Sequence, residues 1–265
     1  TWLDHPGSTA AHFLVTQSPL AAVFGFIGEY AMSCLGRERV MSRFAQRSGT
    51  PLAIIQGYLE NLLEDGALND KVMAGRFLGI MAKHTDRVSR IVEDMLVISR
   101  LESGEAAALS IAPFDFLSCV QDVLERLEHL IVTQEAHIDI SGVTEGLAIH
   151  GDRFYWTQVL FNLIENALKQ NPQAGLTITV RGAYENGMIH LSVADNGIGI
   201  PTAHLPFVFK RFYRVDQNHT NSAIKGTGLG LSIVKRAVEA HKGEISVNSI
   251  PGRETKFSII LPPQG

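Results

Sequence analysis

The chain has 265 residues, a length that predicts about two domains, each able to bury its own core. Hydrophobic residues make up 45% and charged residues 19% of the sequence, which excludes an intrinsically disordered chain. The 23 basic and 27 acidic residues give a formal net charge of −4, so no overall positive field attracts nucleic acid. We therefore expect no nucleic-acid partner.

The cysteines and the longest apolar run exclude three further classes of protein. Cys34 and Cys119 are far apart and lack metal-ligand spacing, which argues against a disulfide framework and a zinc site. The apolar run at residues 19–35 is short for a membrane span and contains Glu29, so we predict no transmembrane helix. Because the first residue is Thr, we expect a fragment of a longer or processed chain.

Two helical patterns follow one another in the first part of the chain. Apolar residues recur in steps of three and four over residues 41–62 and again over 77–98, and the polar residues 64–70 separate the two runs. The pattern predicts a helical hairpin over residues 37–104, with a local disturbance at Pro51.

The apolar side of this hairpin needs a partner, because two helices alone cannot enclose a core. We predict that a second copy covers it, which gives a four-helix bundle in a homodimer. Packing of the apolar stripe on the rest of the same chain is the alternative. Residues 1–36, which prolines and glycines interrupt, form a leading segment without an assigned role.

Residues 105–265 alternate between helix-like and strand-like segments. The strand-like residues 176–184 and 188–194 are separated only by a short turn, which is typical of an antiparallel hairpin. We therefore predict an α/β sandwich and not a doubly wound fold. Helices are expected at residues 117–133, 153–170 and 227–240, and further strands at 137–141, 244–249 and 256–261.

Three polar clusters in this part are candidates for one nucleotide site. The first lies on the predicted helix 153–170, where Asn162, Asn166 and Lys169 share a stripe at i, i+4 and i+7. Two amide oxygens and an ammonium group suit a metal ion that bridges phosphates and a direct phosphate contact. A solvated helix face is the alternative for this stripe taken alone.

The other two clusters are rich in glycine. Asp195 ends a strand-like run just before Gly197 and Gly199, so its carboxylate can accept a hydrogen bond from an exocyclic amine such as that of adenine. Residues 226–230 precede a helix, where free amide groups and the helix dipole favour phosphate. A turn and a helix cap are the alternatives for each cluster taken singly.

Together, these clusters resemble the boxes of two-component sensor histidine kinases. The likeness covers residues 37–262, and the order and spacing of four boxes match. The N, G1, F and G2 boxes correspond to residues 162–169 (NLIENALK), 195–201 (DNGIGIP), 209–214 (FKRFYR) and 226–231 (GTGLGL).

The resemblance implies a GHKL-type (Bergerat) ATP-binding domain at residues 105–265, in which a mixed sheet faces three helices, with ATP and Mg²⁺ as ligands. Asn166 would hold Mg²⁺ with Asn162 nearby, Lys169 would lie at the phosphates and Asp195 would recognise adenine. The glycines that would shape the base pocket are Gly197 and Gly199.

The same resemblance implies an ATP lid at residues 201–225, and the polar residues 216–222 support its mobility. Either Arg211 or Arg214 is the candidate that neutralises charge on the γ-phosphate. The residues that would close the phosphate side are Gly226, Thr227, Gly228, Leu229 and Gly230.

The hairpin departs from the family at one functional position. It resembles the dimerisation and phosphoacceptor domain and contains the Thr50-Pro51-Leu52 that ends the H box, but Gln46-Arg47 stands where a His and an acidic residue are expected. A Gln amide is a poor nucleophile because its lone pair is delocalised, whereas a neutral imidazole can attack phosphorus. We therefore expect no ordinary autophosphorylation. His84 is the remaining candidate acceptor, although its place on the apolar seam favours a packed core residue.

Thr50 supports a different activity. It lies one turn beyond Gln46 on the same helix face, and in this family a Thr at that position is thought to orient the water that hydrolyses phospho-aspartate on a response regulator. Local hydrogen bonding to the backbone before Pro51 is the alternative role for the Thr50 hydroxyl.

Three functions are compatible with the sequence. The first is the catalytic core of a sensor histidine kinase, and the second is a pseudokinase or phosphatase-biased scaffold that binds a response-regulator receiver domain or a partner kinase. The third, an ATPase with water as acceptor, needs a carboxylate near Asn162, and Glu165 lies about 300° around the helix from it. The additional change at Arg47 favours natural divergence over a single introduced substitution. We expect a cytoplasmic location, either free or as part of a membrane-anchored sensor.

Overall fold

The computed structural model of the chain describes residues 38–64, 70–102, 109–171, 175–215 and 226–262, with the backbone alone described for residues 38–48 and 64. It divides into two units, residues 1–89 and residues 90–265. The predicted leading segment therefore lies outside the described residues.

The first unit contains most of the predicted hairpin. Helix α1 (Glu38–Glu64) continues through Pro51 without a break, and helix α2 (Lys71–Glu102) runs on into the second unit. Asp70 begins α2, because its Oδ1 accepts hydrogen bonds from the amides of Val72 at 2.9 Å and Met73 at 3.1 Å.

Contacts within the first unit join the two helices, yet apolar surface remains on them. The rings of Tyr58 and Phe77 lie 5.0 Å apart, centre to centre, and tie α1 to α2. Large apolar side chains of this unit that are exposed are Leu59, Leu63, Val72, Met73 and Leu78. A hairpin with this much exposed apolar area has a face that favours a partner.

The second unit is an α/β domain with a five-stranded mixed sheet in the order β2-β4-β5-β7-β6 and a separate two-stranded sheet, β1-β3. The β2–β4 pair is parallel, and the other pairs are antiparallel. In chain order its elements are β1 (Ala112–Asp115), α3 (Phe116–Thr133), β2 (His137–Val143), β3 (Ala148–Gly151), α4 (Arg153–Gln170), β4 (Thr177–Glu185), β5 (Met188–Asp195), a 3₁₀ helix (Thr202–Phe207), α5 (Gly230–Ala240), β6 (Glu244–Ile250) and β7 (Glu254–Leu261). The predicted sandwich is confirmed.

Alternating burial along the strands places the core on one face of the sheet. Every second residue of β5 is buried, from Ile189 to Asp195, as the period of a strand with one covered face requires. Trp156, Ile164 and Val234 of the helices lie in the same core cluster. The sheet therefore holds α4 and α5 against a single core, and the polar ends of these elements form the candidate site.

Two details of the second unit differ from the sequence predictions. The sheet β1-β3 was not predicted, because each strand has only four residues and Pro113 interrupts the first. Helix α5 begins at Gly230 and not at Thr227, because Gly228 has φ +74°, a left-handed conformation that a right-handed helix cannot contain. In the part of the chain that the structure describes, no helix is long and apolar enough to cross a membrane.

Candidate nucleotide-binding site

Asp195 lies at the end of β5 and is 8% exposed. Its Oδ1 accepts hydrogen bonds from the amide of Gly197 at 3.0 Å and from Nδ2 of Asn171 at 3.1 Å. Burial raises the pKa of Asp195, and these two hydrogen bonds lower it. The carboxylate is thus held by protein donors at one oxygen in a mostly dry environment.

Asn171 is a buried residue of the site that the sequence did not reveal. It follows α4 directly and is 3% exposed. Its Nδ2 also donates to the carbonyl of Ala167 at 2.8 Å, and its Oδ1 accepts from the amide of Ile198 at 2.7 Å. An amide side chain just past a helix end is the only signal in the sequence, and capping is its ordinary explanation.

Gly197 is required by the close approach of Asn171. A Cβ atom at position 197 would lie 1.9 Å from Oδ1 of Asn171. Gly199, the second predicted glycine of this loop, lies against the backbone of Ile250 and Pro251. The G1 residues therefore form a tight loop that packs on the end of α4 and on the end of β6.

The N-box residues lie on α4 in different surroundings. Asn162 donates from Nδ2 to the carbonyl of Gln158 at 2.9 Å, and a Cβ at Gly230 would lie 2.6 Å from its Oδ1. The half-buried Asn166 side chain makes no hydrogen bond to the described residues. Lys169 pairs with Glu165, Nζ to Oε1, at 2.7 Å. The amide oxygen of Asn162 therefore faces the start of α5.

The G2 residues form the turn into α5. The carbonyl of Gly228 accepts a hydrogen bond from the amide of Phe212 at 2.7 Å, which joins the F and G2 boxes. Leu229 is the buried cap residue of α5 and provides no side-chain cap hydrogen bond, and Gly226 is exposed. The first turn of α5 itself carries no acidic residue, so within the helix no carboxylate occupies the positive end of its dipole.

Thr227 connects this turn to the part of α2 that belongs to the second unit. Its hydroxyl donates to Oδ2 of Asp94 at 2.7 Å and accepts the amide of Leu229 at 3.2 Å. Burial, the largest cause, raises the pKa of Asp94 from 3.8 to about 6, and the Thr227 hydrogen bond acts in the opposite direction. Asp94 is thus a second carboxyl group near the site, and unlike Asp195 it was not predicted from the sequence.

The raised pKa of Asp94 predicts that Asp94→Asn stabilises the protein at neutral pH. Because its folded-state pKa of about 6 exceeds the ordinary value of 3.8, the wild type loses stability as pH rises through that interval. Asparagine keeps the acceptor for Thr227 without a charge. We expect a gain of up to roughly 3 kcal/mol in the free energy of unfolding at neutral pH, and none at low pH.

Urea titrations at acidic and neutral pH measure this difference. Asp122→Asn is the control, because the exposed Asp122 only pairs with Arg153 at the surface and its loss changes the free energy by less than about 1 kcal/mol. An Asp94→Asn variant that is destabilised equally at both pH values would contradict the prediction.

The two F-box arginines are placed differently. Arg211 forms an ion pair with Glu102, which also pairs with Arg236, Oε1 to Nε, at 3.1 Å. Arg214 is half-buried. Arg211 is thus engaged with a carboxylate. Residues 216–225 of the predicted lid, which include its polar centre at 216–222, lie outside the described residues.

In the first unit, the structure bears on two hairpin candidates. The side chains of Gln46 and Arg47 lie outside the described residues, whereas Thr50 is exposed. His84 is half-buried, and burial together with the nearby Arg87 lowers its pKa, which favours the neutral imidazole. Among the described residues, no group of three or more His, Cys, Asp or Glu side chains is placed to hold a metal ion.

Comparison with known families matches both parts of the chain. Residues 37–104 match the family model described as His Kinase A (phospho-acceptor) domain, and residues 151–265 match that of the histidine kinase-, DNA gyrase B- and HSP90-like ATPases. The chain belongs to the histidine kinase family. The second match contains the N, G1, F and G2 boxes. Because it is a match to an ATPase family, it implies ATP binding.

Individual relatives agree with this assignment. Sensor histidine kinase WalK of Bacillus subtilis (strain 168) is 37% identical over 229 residues, which is 85% of this chain and 36% of that protein. The structure of Acinetobacter baumannii histidine kinase AdeS has a TM-score of 0.65 at 27% identity and covers 82% of this chain and 96% of its own. The fold is also shared with histidine kinase ThkA, solved in complex with response regulator protein TrrA: the TM-score is 0.69 at 20% identity, over 98% of this chain and 68% of that one. The chain thus spans about a third of the length of the WalK relative.

Proposed function

We propose that this chain is the ATP-binding core of a sensor histidine kinase that has lost ordinary autophosphorylation. Two-component signalling transfers phosphate from ATP to His and then to an Asp of a response regulator, so it needs a nucleotide site and an acceptor. The buried Asp195, held at one oxygen beside a glycine loop, supports the first. Gln46-Arg47 argues against the second.

Asp195 would recognise the base. Its Oδ1 already accepts two hydrogen bonds, while Oδ2 accepts none from the described residues. A carboxylate oxygen in a mostly dry site is an acceptor for the exocyclic amine of adenine and repels the keto oxygen of a 6-oxopurine. The site should therefore prefer adenine nucleotides.

The phosphates would lie between α4 and the start of α5. Asn162 and Asn166 offer amide oxygens, which are hard ligands that suit Mg²⁺, and the described contacts leave the Asn166 side chain available. When bound, the ion neutralises phosphate charge. Lys169 would reach the phosphates by leaving Glu165, and the amides at the start of α5 would donate to phosphate oxygens.

The experiment that tests nucleotide recognition compares two buried aspartates. Asp195 and Asp152 are each 8% exposed, but Asp152 caps α4 through Oδ1, a role that Asn also fulfils. Its Oδ2 accepts the amide of Ser110 at 2.9 Å, a bond at the opposite end of α4 from Asn171 that Asp152→Asn removes. We expect Asp195→Asn to weaken ADP binding about 10-fold to 100-fold in isothermal titration calorimetry, and Asp152→Asn to change it less than about twofold. Equal affinity for ADP in wild type and Asp195→Asn would refute the proposed role.

The missing acceptor determines the chemistry. A His at position 46 would attack the γ-phosphorus through a ring nitrogen while an adjacent acid accepted the other ring proton. Gln46 offers no such nitrogen, and Arg47 cannot accept a proton. We therefore propose that this chain binds ATP without transferring its phosphate to position 46.

We propose two partners for the chain, a second copy of itself and a response regulator. The exposed apolar residues of α1 and α2 support a four-helix bundle in a homodimer. Two-component chemistry supports a response-regulator receiver domain as the second partner, and ThkA was solved with such a regulator. Because ATP and these regulators are found in the cytoplasm, we place the domain there.

A phosphatase-biased scaffold is the second candidate function, and exposed Thr50 favours it. A hydroxyl at this position can orient water toward a phospho-aspartate without any histidine. Under this proposal, Thr50→Ala slows the loss of phosphate from a bound receiver domain, whereas the Gln46→Ala variant does not.

A further inference from the structure

We propose that Asn171 is the positioning residue for base recognition: it holds the Asp195 carboxylate with Oδ2 directed to the adenine amine and fixes the G1 loop around it. The inference rests on the proposed role of Asp195 and adds a residue outside the four boxes. Its basis is the set of hydrogen bonds that converge on one buried amide.

All three polar functions of the Asn171 side chain are used. Nδ2 donates one hydrogen bond to the carbonyl of Ala167 in α4 and the other to Oδ1 of Asp195 on β5. Its Oδ1 accepts a hydrogen bond from the amide of Ile198 in the loop. A single side chain therefore ties the helix, the strand and the loop together, and its orientation is fixed because neither amide atom can replace the other.

The fixed orientation of Asn171 sets the direction in which the second oxygen of the Asp195 carboxylate points. The Asn171 and Gly197 donors both point at Oδ1 of Asp195. Partial rotation of the carboxylate would break both hydrogen bonds in a site that is 8% exposed, where a lost partner is costly, and a half-turn only exchanges two equivalent oxygens. Oδ2 consequently remains the acceptor for a ligand.

The amide also favours the ionised form of the carboxylate. Burial raises the pKa of Asp195, and Asn171 is one of two hydrogen bonds that lower it. Without this donor the pKa moves further up, so protonation would remove the acceptor at a higher pH. Base recognition and its pH dependence should therefore change together when Asn171 is replaced.

His241 provides a matched control outside the four boxes. It is also a buried polar side chain that bridges two backbone groups: Nε2 accepts from the amide of Asp152 at 2.9 Å, and Nδ1 donates to the carbonyl of Ala237 at 2.7 Å. It makes no hydrogen bond to the Asp195 carboxylate. An alanine at position 241 thus removes comparable buried bonds and leaves the carboxylate held.

The test measures ADP and IDP, its 6-oxopurine analogue, by titration calorimetry across pH. We expect Asn171→Ala to weaken ADP binding by at least about tenfold and to reduce the ADP-to-IDP affinity ratio. Asn171→Asp, which keeps volume but puts an oxygen against Oδ1, should move the acidic limit of ADP binding to a higher pH. His241→Ala should lower the thermal midpoint and keep the wild-type ratio.

The outcomes separate this inference from the proposed function. If Asp195→Asn weakens ADP binding while both Asn171 variants keep the wild-type ratio and pH limit, the role of Asn171 is refuted and that of Asp195 stands. If Asp195→Asn has no effect, the proposed base recognition itself fails. Should the alanine variant not fold, Asn171→Ser, which keeps a hydroxyl in the same space, is measured for the same ratio.

Discussion

A chain that carries Gln46→His and Arg47→Glu together is expected to become labelled by γ-labelled ATP. The His supplies a nucleophilic nitrogen, the Glu accepts the other ring proton, and Thr50-Pro51 already stand at the family positions. The label should be acid-labile and base-stable, as a phosphohistidine is. Protein-bound radioactivity after each treatment measures it.

Two control variants test whether the label depends on the new histidine and on the nucleotide site. Arg47→Glu alone should remain unlabelled, because the nucleophile is still missing. Addition of Asn166→Ala to the double variant should abolish the label if Asn166 holds Mg²⁺. A double variant that binds ATP and folds, yet takes up no label, would contradict the assignment of position 46.

Gly197→Ala is expected to reduce nucleotide affinity by about 100-fold. The new Cβ would lie 1.9 Å from Oδ1 of Asn171, a buried side chain with three hydrogen bonds and no room to move. The loss of those bonds, at about 1 kcal/mol each, corresponds to this change if it falls on the binding site. Titration with ADP measures it.

The control for this substitution is Gly79→Ala on α2, where an added Cβ meets nothing within 4 Å. It should leave ADP affinity unchanged and stabilise the helix by about 1 kcal/mol, because alanine has the higher helix propensity. If Gly197→Ala bound ADP as tightly as Gly79→Ala, the close packing of the G1 loop on Asn171 would not matter for the ligand.

Periodicity predicted the long elements well. Helix α4 spans the predicted residues 153–170, and β4 and β5 form the predicted antiparallel hairpin, because one buried face imposes a period on each. The short strands β1 and β3 escaped prediction, since four residues carry too little pattern and their pairing depends on tertiary contacts. The start of α5 was placed three residues early because a sequence does not display the left-handed conformation of Gly228.

The residues of the candidate site that could be predicted are those that belong to short sequence motifs. Asp195 and the glycines stand in such motifs, so their residue types were enough to single them out. Asn171 and Asp94 were missed, because each acts through a partner distant in sequence: Asp195 for the first and Thr227 for the second. Which polar side chains meet in a core is decided by packing, and one sequence without its fold does not specify it.

ATP binding without self-phosphorylation is the property that most needs a direct measurement. The wild-type chain is incubated with Mg²⁺ and γ-labelled ATP, with calorimetric binding of ADP in parallel, and the protein is then treated with acid and with base. We expect bound nucleotide and no acid-labile, base-stable label. Such a label on the wild-type chain would contradict the proposed function, because the protein would then possess a working phosphoacceptor histidine.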